Sequence, residues 1–230
     1  MKREKNTAII LAAGQGKRMN SSVPKQYLML GDRPVLFYAI NMFESSEYID
    51  EIILVVGSDQ IDYCTNEIVN HYDFKKVKKI IEGGSERYLS VYCGIKEAQD
   101  ADNIFIHDGA RPFVSKKNIE DTLMSVRECG ACALGVPVKD TIKIVNNNMF
   151  VDYTPNRNLV WAIQTPQVFK KDILLEAYNK LLVSSIDNVT DDAMVVEMML
   201  GIKVKVVEGN YKNIKITTPE DLIIGECYLD

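Results

Sequence analysis

The sequence predicts an α/β fold: a Rossmann-like, mainly parallel twisted sheet flanked by helices, with one β-hairpin arm protruding from it. Three observations predict this. Short β-rich runs ("TAIIL", "EIILVV", "KVKKII", "NIFIHD") alternate with longer stretches of helical period, the pattern by which crossover helices build a parallel sheet. A turn with two glycines, "LAAGQGKRM" (Leu11 to Met19), follows the first run directly, where ligands collect in such sheets. The stretch from about Lys139 to Trp161 breaks the alternation, and "KDTIKIVNNNMFVDYT" reads as two strands around Asn146-Asn147-Asn148.

Taken in order, the first strand ends at the glycine turn, and "SSVPKQYLMLGDRPV" leads through Lys25, Gln26 and Gly31 to the first helix, "PVLFYAINMFESS". Pro34 suits its first turn, where a missing N–H costs nothing. Leu36, Phe37, Ile40 and Phe43 give it one apolar face. In "EGGSERYLS", Gly83 and Gly84 form a second turn and Ser85 is placed to cap the helix that follows. "NIFIHD" ends on Asp108 at the carboxyl edge of the sheet, with His107 on the opposite face by strand alternation. Alternation likewise sets Lys215, near a strand end in "NIKIT", opposite Ile214 and Ile216. The last helix begins with Thr218 as N-cap, Pro219 at its first position and Asp221 as capping partner.

Composition limits what this frame can serve. With 230 residues, 47% hydrophobic and 26% charged, the chain reads as one globular domain over residues 1–230, without internal repeat or linker. A net charge of −5 excludes a general affinity for nucleic acid or anionic membranes, so a polyanion has to be met locally. The charged opening "MKREKNT" lacks the apolar stretch of a secretory signal, and no apolar run of about 18 residues is present. Five scattered cysteines form no disulfide framework. The expected compartment is the cytoplasm. The arm carries Ile142, Ile144, Val145, Phe150, Val151 and Tyr153, too many apolar side chains for a two-stranded ribbon to leave in water. A second copy of the chain is the expected cover, giving a homodimer.

Gly14 and Gly16 permit positive φ and close approach of backbone N–H groups to an anion, and Lys17 and Arg18 add charge. Neither a P-loop nor a dinucleotide fingerprint fits, because Leu11, Arg18 and Met19 stand where those motifs need other residues. The plain alternative is a tight strand-to-helix turn whose cations face solvent.

The wider text shifts the balance toward an anion site. "LAAGQGKRMNSSVPKQYL" resembles the motif of sugar-phosphate nucleotidyltransferases. "GGSERYLSV", "HDGARPFV", "PVKDTIK", "NRNLVWAIQTPQVF", "TDDAMVVE" and "NIKITTPEDL" occur in the order and spacing of the 2-C-methyl-D-erythritol 4-phosphate cytidylyltransferase family, so the resemblance spans nearly the whole chain. It implies transfer of CMP from CTP to methylerythritol 4-phosphate, with release of pyrophosphate, in non-mevalonate isoprenoid precursor synthesis.

By that resemblance Arg18, Lys25 and Lys215 are catalytic. Such cations stabilise charge that develops on a phosphate in flight. The resemblance places Ala12, Ala13, Gly14, Gly16, Lys17, Gly84, Ser85, Arg87 and Ser90 around the nucleotide, with Gly84, Ser85 and Ser90 beside the cytosine. It assigns Asp108, Gly109, Arg111, Thr141, Arg157 and Thr165 to the sugar phosphate, and Asp108 also to Mg2+ or another divalent cation. Carboxylate oxygens suit that ion. Thr141 and Arg157 serve the site of the other subunit. Two positions depart from the usual form: Gly109 stands where alanine is common, and Ser85 where many relatives carry aspartate. No general base is needed, since a phosphate monoester is ionised near neutral pH, and His107 reads as structural. A pentitol-phosphate cytidylyltransferase, such as one acting on ribitol 5-phosphate, is the near rival. A non-catalytic nucleotide-binding module, or a thiol oxidoreductase using Cys129 and Cys132, is the distant one. For that cysteine pair the plain reading is two small core residues, because it follows a helix instead of opening one.

Overall fold

The structure, a computed structural model, describes residues 3–14, 19, 23–186 and 188–229. Strand β1 (Asn6–Ala12) leads to a tight hairpin of β2 (Met29–Leu30) and β3 (Arg33–Pro34), then to helix α1 (Val35–Glu44) and β4 (Glu51–Val56). A short α2 (Ile61–Tyr63) runs into a π-helical stretch, Cys64–Asn70, followed by β5 (Val77–Glu82), α3 (Arg87–Glu97) and β6 (Asn103–Asp108). Helix α4 (Lys116–Cys129) returns the chain to β7 (Ala131–Pro137), beyond which β8 (Ile144–Val145) and β9 (Val151–Tyr153) form the arm. Strand β10 (Trp161–Lys170), α5 (Lys171–Leu182), α6 (Asp192–Leu200), β11 (Lys205–Glu208) and α7 (Pro219–Glu226) complete the order.

Seven strands form one sheet in the order β5-β4-β1-β6-β10-β7-β11. Neighbours are parallel except at β10, which is antiparallel to both β6 and β7. Strand alternation divides the core in two. Ala8, Ile10 and Ala12 of β1 face α1 and α4, where Leu36, Ile40 and Phe43 meet Ile119, Leu123 and Val126. Ile9 faces the other way, toward Val91 and Ile95 of α3 and toward Leu174 and Tyr178 of α5. A buried ring such as that of Phe43 is worth about 3–5 kcal/mol on truncation, so α1 is held by its apolar stripe.

Local expectations were met where chemistry dictated them. Thr218, Pro219 and Asp221 form the capping box of α7. The arm turns on Asn146, whose Oδ1 accepts from the backbone N–H groups of Asn148 and Phe150. Three details differ from the sequence reading. Pro34 stands before α1 in extended geometry, because Gly31 at φ +60° makes a hairpin turn that draws Pro34 into pairing with Met29. Glu86, not Ser85, precedes α3 in extended conformation. Lys215 lies outside any strand, in a segment tied to the fold by the Ile216 N–H donating to the Ala110 carbonyl at 2.8 Å. Among the described residues no helix is long and apolar enough to cross a membrane.

Candidate active site

Strands β1, β4, β5 and β6 run parallel and end at one edge of the sheet. From β1 the chain moves outward through β4 and β5 on one side, while β6 lies on the other. The crevice between β1 and β6 is the place where such sheets bind ligands. A recess of about 240 Å³ opens there. Ala12, Ala13 and Gly14 line it from β1, Gly84, Ser85, Arg87 and Ser90 from the start of α3, and Lys25, Asp108 and Lys215 close it. A wider groove of about 600 Å³ continues from Ala13 and Gly84 over the ends of β4 and β5, past Asp59 and Glu82. A third recess of about 130 Å³ lies on the far side of Asp108, against Arg111 and Thr165. It shares Arg87, Asp108 and Lys215 with the first.

The glycine turn is shaped from behind. Gln26 is 3% exposed, and its amide nitrogen donates to the carbonyls of Ala12 at 2.5 Å and Gly14 at 3.1 Å. Fixing those carbonyls sets the orientation of the neighbouring peptide units. Gly14 does not use the left-handed region, and a Cβ there would meet nothing within 4 Å; what this glycine leaves is open space. Gly83 is different, since a Cβ would lie 2.7 Å from Ser90 Oγ and 2.8 Å from Ala13 Cβ. Only glycine lets the β5 turn pass so close to the β1 turn. The Ser90 hydroxyl donates to the Glu86 and Gly84 carbonyls at 3.1 and 3.3 Å, so the side chain holds its own turn.

Asp108 is the electrostatic centre. Its Oδ2 receives Lys215 Nζ at 2.8 Å and lies 3.8 Å from Arg111 Nε, while Oδ1 receives Arg87 Nε at 3.3 Å. Burial alone would push this carboxyl up, but Arg87, Lys215 and Arg111 together outweigh it and hold Asp108 well below the usual carboxylate range. It is therefore ionised at neutral pH. Arg87 in turn places Nη2 2.9 Å from Asp192 Oδ2.

His107 faces away from Asp108, as alternation required, and is fully buried. The Arg111 carbonyl can only accept, so the contact of His107 Nε2 with it at 3.0 Å makes Nε2 the donor. Nδ1 then accepts from the Thr165 hydroxyl at 3.1 Å. Thr165 Oγ1 itself accepts from the Asp108 N–H at 3.0 Å. Burial lowers the His107 pKa to about 4, which keeps the ring neutral and leaves it a brace for the Asp108–Arg111 turn. Gly109 fits the same turn against β1: a Cβ there would approach Leu36 Cδ1 to 2.8 Å and the Leu11 carbonyl to 3.0 Å.

The structure thus gathers Ala12, Ala13, Gly14, Lys25, Gly84, Ser85, Arg87, Ser90, Asp108 and Lys215 around one recess, and Arg111 and Thr165 around its neighbour. Gly109 is buried and lines neither. Thr141 and Arg157 are exposed at the base of the arm, away from both recesses of their own chain. Gly16, Lys17 and Arg18 lie outside the described residues. Sequence reasoning passed over Gln26, Asp192 and Tyr178. The signal for Asp192 was present in "TDDAMVVE", where two aspartates open a helix, but nothing local distinguishes the cap Asp191 from the buried Asp192.

Cys129 ends α4 and Cys132 lies within β7. Burial pushes the Cys132 thiol up to about 12, and the sulfur donates to the Thr122 carbonyl at 3.3 Å. This is an inert core thiol. Among the described residues no three His, Cys, Asp or Glu side chains gather into a metal site. A single carboxylate beside a triphosphate nevertheless fits magnesium, which takes one or two carboxylates, water and substrate phosphates. Asp108 is a carboxylate of that kind at the first recess.

Known proteins resemble this chain over nearly its whole length. The family model for IspD, 2-C-methyl-D-erythritol 4-phosphate cytidylyltransferase, matches residues 6–230. A relative from Lachnoclostridium phytofermentans named 2-C-methyl-D-erythritol 4-phosphate cytidylyltransferase is 51% identical over 226 residues, covering 98% of this chain and 97% of its own. The crystal structure of 4-diphosphocytidyl-2C-methyl-D-erythritol synthase from Anaerococcus prevotii superposes with a TM-score of 0.87 at 39% identity, covering 98% of this chain and 96% of that one. A Francisella tularensis 2-C-methyl-D-erythritol 4-phosphate cytidylyltransferase gives 0.79 at 31%, covering 97% and 99%.

Proposed function

The chain belongs to the 2-C-methyl-D-erythritol 4-phosphate cytidylyltransferase family, and from that premise we propose how its own residues carry the reaction, CTP-dependent formation of 4-diphosphocytidyl-2-C-methylerythritol. A phosphate oxygen of the acceptor attacks the α-phosphorus of CTP, the new P–O bond forms as the bond to the β-phosphate breaks, and pyrophosphate leaves with the electron pair. The acceptor phosphate has its second pKa near 6 and needs no proton removed. A sealed, neutral His107 is in keeping with that.

One observation carries the assignment of roles: Arg87, Asp108 and Lys215 form a wall common to the first and third recesses. CTP occupies the first, its triphosphate on the turn after β1 and its base toward Gly84, Ser85 and Ser90. The acceptor occupies the third, with Arg111 and Thr165 beside its phosphate. The two phosphates then meet at Lys215, with Lys25 closing from the glycine turn; a catalytic role for Arg18 is carried by the sequence resemblance alone. Donors aimed at charge that grows only in the transition state are worth about 2.7–4 kcal/mol each. Asp108 would hold the divalent ion, which, when bound, supplies charge neutralisation for the triphosphate.

The arm leaves Phe150 71% and Met149 77% exposed, an apolar surface that a second copy would cover. Thr141 and Arg157 of the partner subunit then complete the acceptor site. Lys139 Nζ lies over the Tyr211 ring at 3.9 Å, and the Tyr211 hydroxyl donates to the Pro137 carbonyl at 2.7 Å, so the base of the arm is braced. All five thiols are unpaired, in keeping with work in the cytoplasm.

Pyrophosphate release from purified protein with CTP, magnesium and methylerythritol 4-phosphate tests the reading, with ribitol 5-phosphate as competitor. Preferential turnover of the pentitol phosphate, or no release where a control enzyme is active, would overturn it.

A further inference from the structure

We propose that Asp192, which lines neither recess, is a positioning residue for the transfer: it holds the Arg87 guanidinium on the wall between the two phosphate sites. The proposal rests on the roles given above and extends them to a carboxylate outside the substrate contacts.

Arg87 opens α3, where a cation meets the positive end of the helix dipole and is disfavoured. Something must offset that. Asp192 is 0% exposed, and its surroundings come from three other elements. From α5, the Tyr178 hydroxyl donates to Oδ1 at 2.5 Å. From β10, Gln167 Oε1 accepts from the backbone N–H groups of Asp192 and Ala193 at 3.1 and 2.9 Å. The Gln167 amide nitrogen donates to Asp191 Oδ2 at 2.9 Å, and Asp191 Oδ1 accepts from the Met194 N–H, which occupies that neighbour in capping α6. Among the described residues, the side chains that reach the Asp192 carboxylate are those of Tyr178 and Arg87, the latter at 2.9 Å.

Sequestering a carboxylate so completely is costly before pairing, and apolar residues of like size often serve stability as well or better. The cage therefore calls for a purpose other than holding the fold together, and the geometry supplies one. Arg87 Nε lies 3.3 Å from Asp108, which already receives Lys215 at 2.8 Å and has Arg111 at 3.8 Å. With Asp192 present, the guanidinium is shared between two carboxylates. Without it, the whole charge falls on Asp108, and the group that serves both substrates is neutralised by its own neighbour. Arg87 Nη1 makes no hydrogen bond to the described residues, and Arg87 lines both recesses. Two nitrogens are thus anchored and the third is left for phosphate. Arg87, Arg111 and Lys215 stand against Asp108, Asp191 and Asp192, so the charges balance and the placing of each cation decides what a phosphate monoester meets.

The experiment compares Asp192→Asn, Arg87→Gln, the double variant and Tyr178→Phe, all with CTP and methylerythritol 4-phosphate. Asp192→Asn lowers kcat/KM for the acceptor by about 50-fold and Tyr178→Phe by about 3- to 10-fold. Calorimetry shows CTP binding retained within about tenfold in both. The double variant is no slower than Arg87→Gln alone, because Asp192 acts through Arg87 and has nothing left to position. Losses that multiply in the double variant, or an Asp192→Asn protein with wild-type kcat/KM, overturn the proposal. Should Asp192→Asn not fold, wild-type kinetics in Tyr178→Phe overturn it equally. The parent enzyme is assayed alongside, and its inactivity with this substrate pair would count against the functional reading instead.

Discussion

Gln26→Met separates the shape of the glycine turn from its charge. The substitution keeps the length of the side chain and its buried methylenes but removes the amide that donates to the Ala12 and Gly14 carbonyls. A buried acceptor left without a donor costs about 1–3 kcal/mol. Gly14 is exposed toward the cleft and can recover part of its loss from water, whereas Ala12 is sealed, so the pair together loses about 2 kcal/mol. For a chain of this size each kcal/mol moves the melting temperature by about 2–4 °C, so Tm falls by about 4–8 °C. The freed peptide units lose their alignment toward the triphosphate, and KM for CTP rises by about 10- to 30-fold, while kcat changes less. Steady-state kinetics with CTP varied at saturating acceptor, together with thermal denaturation, read both effects. A variant that melts earlier yet keeps the wild-type KM for CTP would refute the argument, since the amide would then support the fold without shaping the site.

Other outcomes follow from the same geometry. Lys25→Ala and Lys215→Ala each lower kcat by about 10²- to 10³-fold, while CTP binding measured by calorimetry weakens far less; equal losses in both would remove these lysines from the transition state. The His107 pKa of about 4 lies below its unfolded value near 6.5. Between those pH values the unfolded chain therefore binds a proton that the native state does not, and stability drops by up to about 3 kcal/mol as pH falls through this window. His107→Gln, which supplies both a donor and an acceptor, loses that share of the slope in urea denaturation between pH 4 and 7; identical slopes would contradict it. Iodoacetamide at pH 8 labels exposed Cys227 and spares Cys132, as mass spectrometry would show, and Cys132→Ala retains transferase activity. Mixed Arg157→Ala and Lys215→Ala subunits recover up to about a quarter of wild-type activity if each site draws on two chains, whereas a mixture that stays inactive rules that arrangement out.

Much of this architecture was legible because it rests on local rules. The period-2 pattern of "NIFIHD" placed His107 and Asp108 on opposite faces, and the structure has His107 against Phe43 of α1 with ring centroids 5.0 Å apart, while Asp108 meets Arg87. The capping box of α7 was written in Thr218, Pro219 and Asp221. The misses were of another kind. Gly31-Asp32 is a two-residue hairpin signal, but the strands it joins, Met29–Leu30 and Arg33–Pro34, are too short to show a period of their own. Lys215 was read as a strand residue from its Ile neighbours, yet what fixes it is the distant Asp108. Gln26 and Asp192 owe their roles to partners 12 or more positions away, and such pairings leave no trace in periodicity or spacing.

The reversal of β10 has a consequence beyond the sheet. Because it runs against β6 and β7, its first residues lie beside the last residues of both, with Trp161 opposite Pro137 and the Thr165 hydroxyl on the Asp108 N–H. Whatever links β7 to β10 has to emerge at the rim of the crevice, whatever its length or sequence. The excursion is thus a graft on a closed frame: residues 139–159 lie beyond the last rung between β7 and β10, the Val138 N–H on the Val160 carbonyl at 3.1 Å. Selection can therefore refashion the arm while the strand ends around the crevice stay as they are.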